Sequence, residues 1–114
     1  MENMDSGPKP SQSVEGKEKL KLKILVAEDD SLIAFTIKDI LQGEGYLVEV
    51  VENGQLLVDK ILEEGESFDL VISDNRMPVK RGIDALEEIR SMDKFRTLPL
   101  IILTADSLEG EFTR

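Results

Sequence analysis

The stretch "DLVISDNRMPVKRG", Asp69 to Gly82, combines an apolar run, an aspartate and a sharp turn. Its apolar run, residues 70–72, has the composition of a buried strand, and a serine and Asp74 follow it directly. A proline at position 78 and a glycine at position 82 then indicate a turn. Asp74 is therefore either a simple cap at the end of a strand or a reactive carboxylate held at the rim of a sheet.

Outward from this stretch, strand and helix patterns alternate along the chain. Apolar runs predict strands in "KLKILVA", "YLVEVV", "FDLVIS" and "LPLIILT". Helical spacing predicts helices in "SLIAFTIKDILQGEG", "QLLVDKILEEG" and "IDALEEIRSM", and "ADSLEGEFTR" begins a fourth. Asn53 and Gly54 are a turn signal before the second helix. This alternation with short connections predicts an α/β fold, a doubly wound parallel sheet with helices on both faces.

Local signals indicate the ends and the apolar sides of these elements. The continuous apolar run 24–27 predicts a strand that is buried on both faces. Asp30 or Ser31 can cap the first helix, and Gly43 or Gly45 can end it. The apolar residues that recur at helical spacing are Ile33, Ile37, Ile40 and Leu41, then Leu57, Val58, Ile61 and Leu62, then the inward-facing Ile83, Leu86 and Ile89.

The composition excludes several kinds of chemistry. The chain has 114 residues, 40% of them apolar, which is enough for one domain with a real hydrophobic core. It has no cysteine and no histidine. Disulfides, Ser-His or Cys-His catalysis and imidazole-bound metals are therefore excluded. A metal would need oxygen ligands, which favour magnesium, calcium or manganese.

The charge distribution narrows the range of partners. Residues 1–20 are polar, include two prolines and are predicted to be a disordered tail. The net charge is −10, and residues 1–21 hold four acids and four bases, so the acidic excess lies in the body of the chain. An acidic body argues against direct binding to nucleic acid or to an anionic membrane. No apolar run approaches transmembrane length, and we expect a soluble cytoplasmic protein.

Polar side chains follow three of the four predicted strands. Glu28 and Asp29 follow the first strand, Asp74 follows the third, and Thr104 ends the fourth. Because sites in parallel α/β sheets form beyond the carboxyl ends of the strands, these groups would crowd one rim if the first and third strands are neighbours. Magnesium suits such a carboxylate cluster, and an aspartate can act as a nucleophile toward phosphorus. The alternative is a purely structural capping role, which is our interpretation of Asp30.

Three segments together resemble the receiver domain of two-component response regulators. They are "ILVAEDDSLI", "DLVISDNRMP" and "LPLIILTAD", and the likeness covers residues 22–114 in order and spacing. The resemblance implies a flavodoxin-like receiver fold over residues 21–114 with strand order 2-1-3-4. It also implies that the family's fifth strand and fifth helix are missing and that the chain is truncated within helix four.

The resemblance also assigns roles to individual residues. Glu28 and Asp29 look like the acidic pair that binds Mg²⁺, and Asp74 looks like the phospho-accepting aspartate and a further ligand. Arg76 stands where the family uses a main-chain carbonyl as a metal ligand, and Thr104 looks like the switch hydroxyl. The implied donor is a phosphohistidine on a sensor histidine kinase or a histidine phosphotransfer protein. The absence of histidine in this chain fits an acceptor.

The sequence departs from the family pattern in two ways. Lys80 and Arg81 stand where the family often has an acidic residue, and with Arg76 they form a cationic group. This group is interpreted either as a solvated loop or as a device that tunes the rim potential or a docking surface. The second departure is the absence of the fifth-strand lysine and aromatic residue. Without that strand "LPLIIL" is an exposed apolar edge, so we expect a fragment, or a homodimer or domain swap through this edge.

Three functional hypotheses remain. The first is a magnesium-dependent phospho-acceptor switch with Asp74 as its site, which is a signalling domain and not an enzyme. The second is a pseudo-receiver, an interaction or dimerisation module that no longer switches. The third is an aspartyl phosphatase resembling the haloacid dehalogenase family, and it is disfavoured because the first strand ends in "AEDDS" and lacks the D-x-D motif.

Overall fold

The computed structural model describes residues 21–103, which form a four-stranded parallel sheet with helices on both faces. The elements in chain order are β1 (Lys23–Ala27), α1 (Ser31–Gly43), β2 (Leu47–Val51), α2 (Gly54–Glu64), β3 (Leu70–Asp74), α3 (Gly82–Arg90) and β4 (Leu100–Leu103). The strand order is β2-β1-β3-β4, as the resemblance implied. The predicted tail at residues 1–20, Thr104 and the predicted fourth helix lie outside the described residues.

The register of the sheet brings the strand ends to one rim. β1 lies between β2 and β3, and Ala27 at its end is paired with Val51 and with Ser73. On the other side of β3, Asp74 is paired with Leu103, the last residue of β4. Because all four strands are parallel, the segments that leave their carboxyl ends emerge together. Glu28, which follows Ala27, is therefore level with Asp74.

β1 is buried on both faces, as its continuous apolar run predicted. Each residue from Ile24 to Ala27 is at most 3% exposed. Leu25 and Ala27 pack in the larger core with α2 and α3, whereas Ile24 and Val26 pack in the smaller core with α1. Burying a side chain of this size stabilises the fold by about 1.5–3 kcal/mol. This central strand therefore anchors both layers.

The helical positions predicted from spacing are confirmed in part. The inward residues of α2 and α3 include Leu57, Val58, Ile61, Leu86 and Ile89, all of them buried. Ile33, Ile40 and Leu62 differ, since they are 47%, 59% and 63% exposed. In α1 only Ala34 is buried. The face of α1 that packs against the sheet is therefore narrower than the row of apolar residues in its sequence. Apolar residues at helical spacing therefore overstated the buried face.

The helix ends follow the capping signals closely. The carboxylate of Asp30 accepts hydrogen bonds from the backbone N–H groups of Leu32 and Ile33, at 2.9 and 3.0 Å, so its predicted capping role is confirmed. Gly45 lies just beyond α1 with φ +97, a conformation that favours glycine. Asn53 was predicted as part of a turn, but its side chain caps α2 by accepting from the Leu56 N–H at 2.8 Å.

The connection from α3 to β4 is held by one arginine. The guanidinium of Arg90 donates to the main-chain carbonyls of Phe95, Arg96 and Leu98 at 2.8–2.9 Å. These bonds satisfy carbonyl groups of a segment that has little regular structure. They therefore fix the entry of β4 into the sheet.

The part of the chain that the structure describes contains no helix long and apolar enough to cross a membrane.

Candidate functional site

Three carboxylates meet at the rim where β1 and β3 end. Glu28, Asp29 and Asp74 each offer one oxygen, and these oxygens lie within 4.8 Å of one another. Glu28 is buried, Asp29 is exposed and Asp74 is half-buried, so the cluster spans the boundary between core and solvent. The structure thus brings together the three side chains that the sequence analysis assigned to a metal site. Oxygen donors at this separation suit Mg²⁺, which accepts one or two carboxylates and keeps several waters.

Glu28 is the buried carboxyl of this cluster. Its side chain is only 5% exposed. Burial raises the pKa of the Glu28 carboxyl, and the neighbouring charges of Asp74 and Asp29 raise it further. A hydrogen bond from the Asp30 backbone N–H at 3.1 Å acts in the opposite direction and lowers this pKa. The cluster therefore carries negative charge that a bound cation would neutralise.

The loop from β3 to α3 has a fixed and partly strained shape. Val79 has φ 72, in a region that β-branched residues rarely adopt, and the Lys80 N–H donates to the Pro78 carbonyl at 2.7 Å. The Lys80 carbonyl accepts the Gly54 N–H at 3.0 Å, which joins the loop to the start of α2. Arg76, predicted to supply a main-chain carbonyl to the metal, lies two residues after Asp74 in this loop. Its role as a ligand stays a prediction.

The positive charges that follow in this loop face acids of α3. Lys80 forms an ion pair with Glu88, and Arg81 forms one with Asp84 at 2.9 Å. These pairs compensate the two charges locally. The structure therefore favours the solvated-loop interpretation of Lys80 and Arg81 over a role in tuning the rim.

A shallow cleft lies beside the carboxylates, between α1 and the end of β2. Its volume is about 220 Å³, and Glu28 and Asp29 form one wall. Phe35 and Lys38 of α1 and Glu52, which follows β2, also line it. Two of the three carboxylates, Glu28 and Asp29, therefore border this cleft.

Two residues that support the site were not predicted from the sequence. Asn75 caps α3 from a distance, because its side chain accepts the Ile83 N–H at 2.9 Å. The sequence offered one signal of this capping role. Arg81, at the N-cap position of α3, is not a typical capping residue and makes no capping bond with its side chain, so the cap had to come from elsewhere. Ser73 was noted only as a polar strand end, but it is fully buried and its hydroxyl donates to the Asp74 carbonyl at 2.8 Å.

Comparison with known proteins identifies the family. The family model of the response regulator receiver domain matches residues 24–113. The chain belongs to this family, whose domains serve two-component signalling, and the resemblance predicted from three motifs is confirmed.

Relatives of this chain occur in both kinds of two-component protein. The transcriptional regulatory protein PdtaR of Mycobacterium tuberculosis is 42% identical over 86 residues, which are 75% of this chain and 40% of that protein. The autoinducer 2 sensor kinase/phosphatase LuxQ of Vibrio vulnificus is 38% identical over 89 residues, 78% of this chain and 10% of LuxQ. The chain therefore spans less than half the length of these two relatives.

A solved structure with the same fold contains a magnesium ion. It is the receiver domain of the sensor histidine kinase PA1611 from Pseudomonas aeruginosa, with a magnesium ion coordinated in its active site cleft. The TM-score is 0.73 at 32% identity, and the alignment covers 82% of this chain and 75% of the PA1611 domain. The predicted flavodoxin-like receiver fold is confirmed by this similarity and by the strand order.

Proposed function

We propose that this receiver domain accepts a phosphoryl group on Asp74 in a magnesium-dependent reaction and thereby switches a partner-binding surface. The observation that carries the proposal is the meeting of Glu28, Asp29 and Asp74, with oxygens within 4.8 Å of one another, at the rim of the sheet. The proposed donor is a phosphohistidine on a sensor histidine kinase or a histidine phosphotransfer protein. Residues 1–114 contain no histidine, which fits the role of an acceptor.

The proposed chemistry is a simple displacement at phosphorus. A carboxylate oxygen of Asp74 attacks the phosphorus atom and forms a new O–P bond. The P–N bond to the donor imidazole breaks, and its electron pair stays on the nitrogen, which takes up a proton. The product is an acyl phosphate on Asp74. The domain is thus a stoichiometric acceptor and not an enzyme that turns over an external substrate.

The residues that would hold magnesium are Glu28, Asp29 and Asp74, together with the main-chain carbonyl of Arg76. The fit rests on the donor set, which consists of oxygens alone, and on the raised pKa of Glu28 beside two further carboxylates. When bound, Mg²⁺ supplies positive charge that stabilises the transferring phosphoryl oxygens. The proposed role of the Thr104 hydroxyl is to hydrogen-bond the attached phosphoryl group, and we propose a cytoplasmic location for the reaction.

Intact-mass measurement tests this proposal. The protein is incubated with phosphoramidate and Mg²⁺, and we expect a mass gain of one phosphoryl group that disappears when EDTA replaces the metal. Asp74→Ala should abolish the gain. Asp39→Ala, which removes an exposed aspartate in the middle of α1, is the matched control and should leave the gain intact. A gain that survives Asp74→Ala, or no gain in the unaltered protein, would contradict the proposal.

A pseudo-receiver that only mediates association is the second candidate. The observation that favours it is the apolar strand β4, in which Ile101 and Leu103 are 46% and 43% exposed. Within residues 21–103, β4 pairs with β3 alone, and in this second candidate its outer edge would pair with a second copy of the chain. Light scattering of the unphosphorylated protein over a concentration series tests this association. A dimer without any phosphorylation would favour the second candidate, and a monomer at high concentration would eliminate the edge contact.

A further inference from the structure

The hydroxyl of Ser73 is directed at the residue that follows it. Ser73 is fully buried in β3, and its Oγ donates to the main-chain carbonyl of Asp74 at 2.8 Å. A buried hydroxyl needs a hydrogen-bond partner, and many local carbonyls could serve in principle. Here the partner belongs to the proposed phospho-acceptor, so the hydroxyl restrains the main chain from which the Asp74 carboxylate projects.

Helix α3 begins in direct contact with the same carbonyl. A Cβ atom at Gly82 would overlap the Asp74 carbonyl oxygen and would lie 2.7 Å from the Ser73 hydroxyl. Only glycine allows this approach, because any other residue would force the main chain of Asp74 or of α3 to move. Gly82, the first residue of α3, therefore blocks movement of the Asp74 main chain toward α3.

Asn75 ties the other side of Asp74 to the same helix turn. Its main-chain carbonyl accepts the Gly82 N–H at 3.0 Å, and its side-chain oxygen accepts the Ile83 N–H at 2.9 Å. These bonds satisfy two of the N–H groups that the start of a helix leaves without partners inside the helix. Asn75 is thus attached to α3, whereas Ser73 is bonded to the Asp74 carbonyl that lies against Gly82. The sheet register places Asp74 itself beside Leu103 of β4.

We propose that Ser73 and Asn75 are positioning residues, which hold the main chain of Asp74 so that its carboxylate stays close to Glu28 and Asp29 and aligned for attack on the donor phosphorus. This inference rests on the proposed function. Three carboxylates within metal-binding distance repel one another before a cation arrives, so an unrestrained Asp74 would move outward. Restraint from α3 opposes that movement and keeps the site ready for the metal and the donor.

The test separates positioning from general stability. The variants are Ser73→Ala and Asn75→Ala, and the control is Val71→Ala. Val71 is fully buried two residues earlier in the same strand and packs in the core shared with α2 and α3. For each protein we would measure the unfolding free energy, the Mg²⁺ dissociation constant by calorimetry and the rate of phosphorylation by phosphoramidate at saturating Mg²⁺.

The two positioning variants should lower the phosphorylation rate of the folded protein by about tenfold, since small displacements of a reacting group are costly. They should also weaken Mg²⁺ binding severalfold, because Asp74 is a proposed ligand. Val71→Ala should lose stability, whereas its rate and Mg²⁺ affinity should stay at the unaltered values. Ser73→Cys keeps a similar shape and a weaker hydrogen-bond donor, so its phosphorylation rate and Mg²⁺ affinity should lie between those of the natural protein and Ser73→Ala. It also serves as the second variant at this position if Ser73→Ala does not fold.

The outcomes distinguish this inference from the proposed function. If the unaltered protein takes up no phosphoryl group on Asp74, the proposed function fails and the inference fails with it. If phosphorylation occurs on Asp74 but Ser73→Ala, Ser73→Cys and Asn75→Ala all behave like Val71→Ala, the positioning role is overturned and the proposed function stands.

Discussion

Val79 offers a quantitative test of the loop that follows Asp74. It has φ 72 and is 79% exposed, so its side chain contributes little burial while its backbone occupies a left-handed conformation. Such a conformation costs a residue other than glycine about 1–3 kcal/mol, and a β-branched side chain belongs toward the upper part of that range. The fold therefore carries a strain at this position that a substitution can remove.

Two opposing effects determine how much Val79→Gly should raise the free energy of unfolding. Val79→Gly removes the strain, but glycine also increases the conformational freedom of the unfolded chain, which offsets about 0.4–1 kcal/mol. The net stabilisation is about 1 kcal/mol, which corresponds to a rise in Tm of roughly 4–8 °C for a domain of this size. Val79→Ala keeps a Cβ atom, so it should recover less than Val79→Gly.

Urea and thermal unfolding of the three proteins measure these differences. We expect the Val79→Gly protein to be the most stable, the Val79→Ala protein to be intermediate and the natural protein to be the least stable. A Val79→Gly protein that is less stable than the natural one would refute the strain argument, because it would show that the loop gains from a side chain at this position. Equal stability of Val79→Gly and Val79→Ala would refute it as well.

Three further predictions concern other parts of the fold and the site. Gly54→Ala places a Cβ against the Lys80 carbonyl and should cost about 1–3 kcal/mol by urea unfolding. The Lys23 hydrogen bond lowers the pKa of Glu49, so Glu49→Gln should cost about 0.2–1 kcal/mol at pH 7 and progressively less as the pH falls and the carboxylate of the natural protein becomes protonated. Glu28→Gln should stabilise the metal-free protein at pH 7, since burial raises the pKa of Glu28 and its ionised form is the disfavoured one.

The signs of the two pH effects are opposite. The depressed pKa of Glu49 contributes stability above the unfolded value near 4.3, and this contribution is lost as the pH falls through the folded value. The raised pKa of Glu28 costs stability once the carboxyl ionises, and the cost is relieved in acid. A Glu49→Gln penalty that does not shrink in acid would contradict the first of these pH predictions. A Glu28→Gln protein less stable than the natural one without metal would contradict the second. A Gly54→Ala protein of unchanged stability would contradict the predicted clash with the Lys80 carbonyl.

Much of the fold could be predicted because local signals and tertiary structure agree. The apolar run 24–27 requires burial on both faces, which only a central strand provides. Asp30 and Gly45 mark the two ends of α1. Both could be predicted because capping depends on residues that are neighbours along the chain. The convergence of Glu28 and Asp74 followed from parallel strands, but the neighbouring positions of β1 and β3 came from the family resemblance.

The remaining features depend on contacts that are distant along the chain. Ile33 and Ile40 match a helical pattern, but the packed stripe of α1 is too narrow to cover them. Asn53 begins a helix and does not merely form a turn. The support that Asn75 and Gly82 give to Asp74 depends on how closely α3 approaches β3, and no local pattern encodes that distance.

Chemical trapping shows which residue carries the phosphoryl group, and we propose that this residue is Asp74. After phosphorylation in the presence of Mg²⁺, borohydride reduces an aspartyl phosphate to homoserine, and peptide mass spectrometry then locates the modified position. We expect homoserine at position 74, and none when Mg²⁺ is replaced by EDTA. Reduction at another aspartate, or a phosphorylated protein with unmodified Asp74, would contradict it.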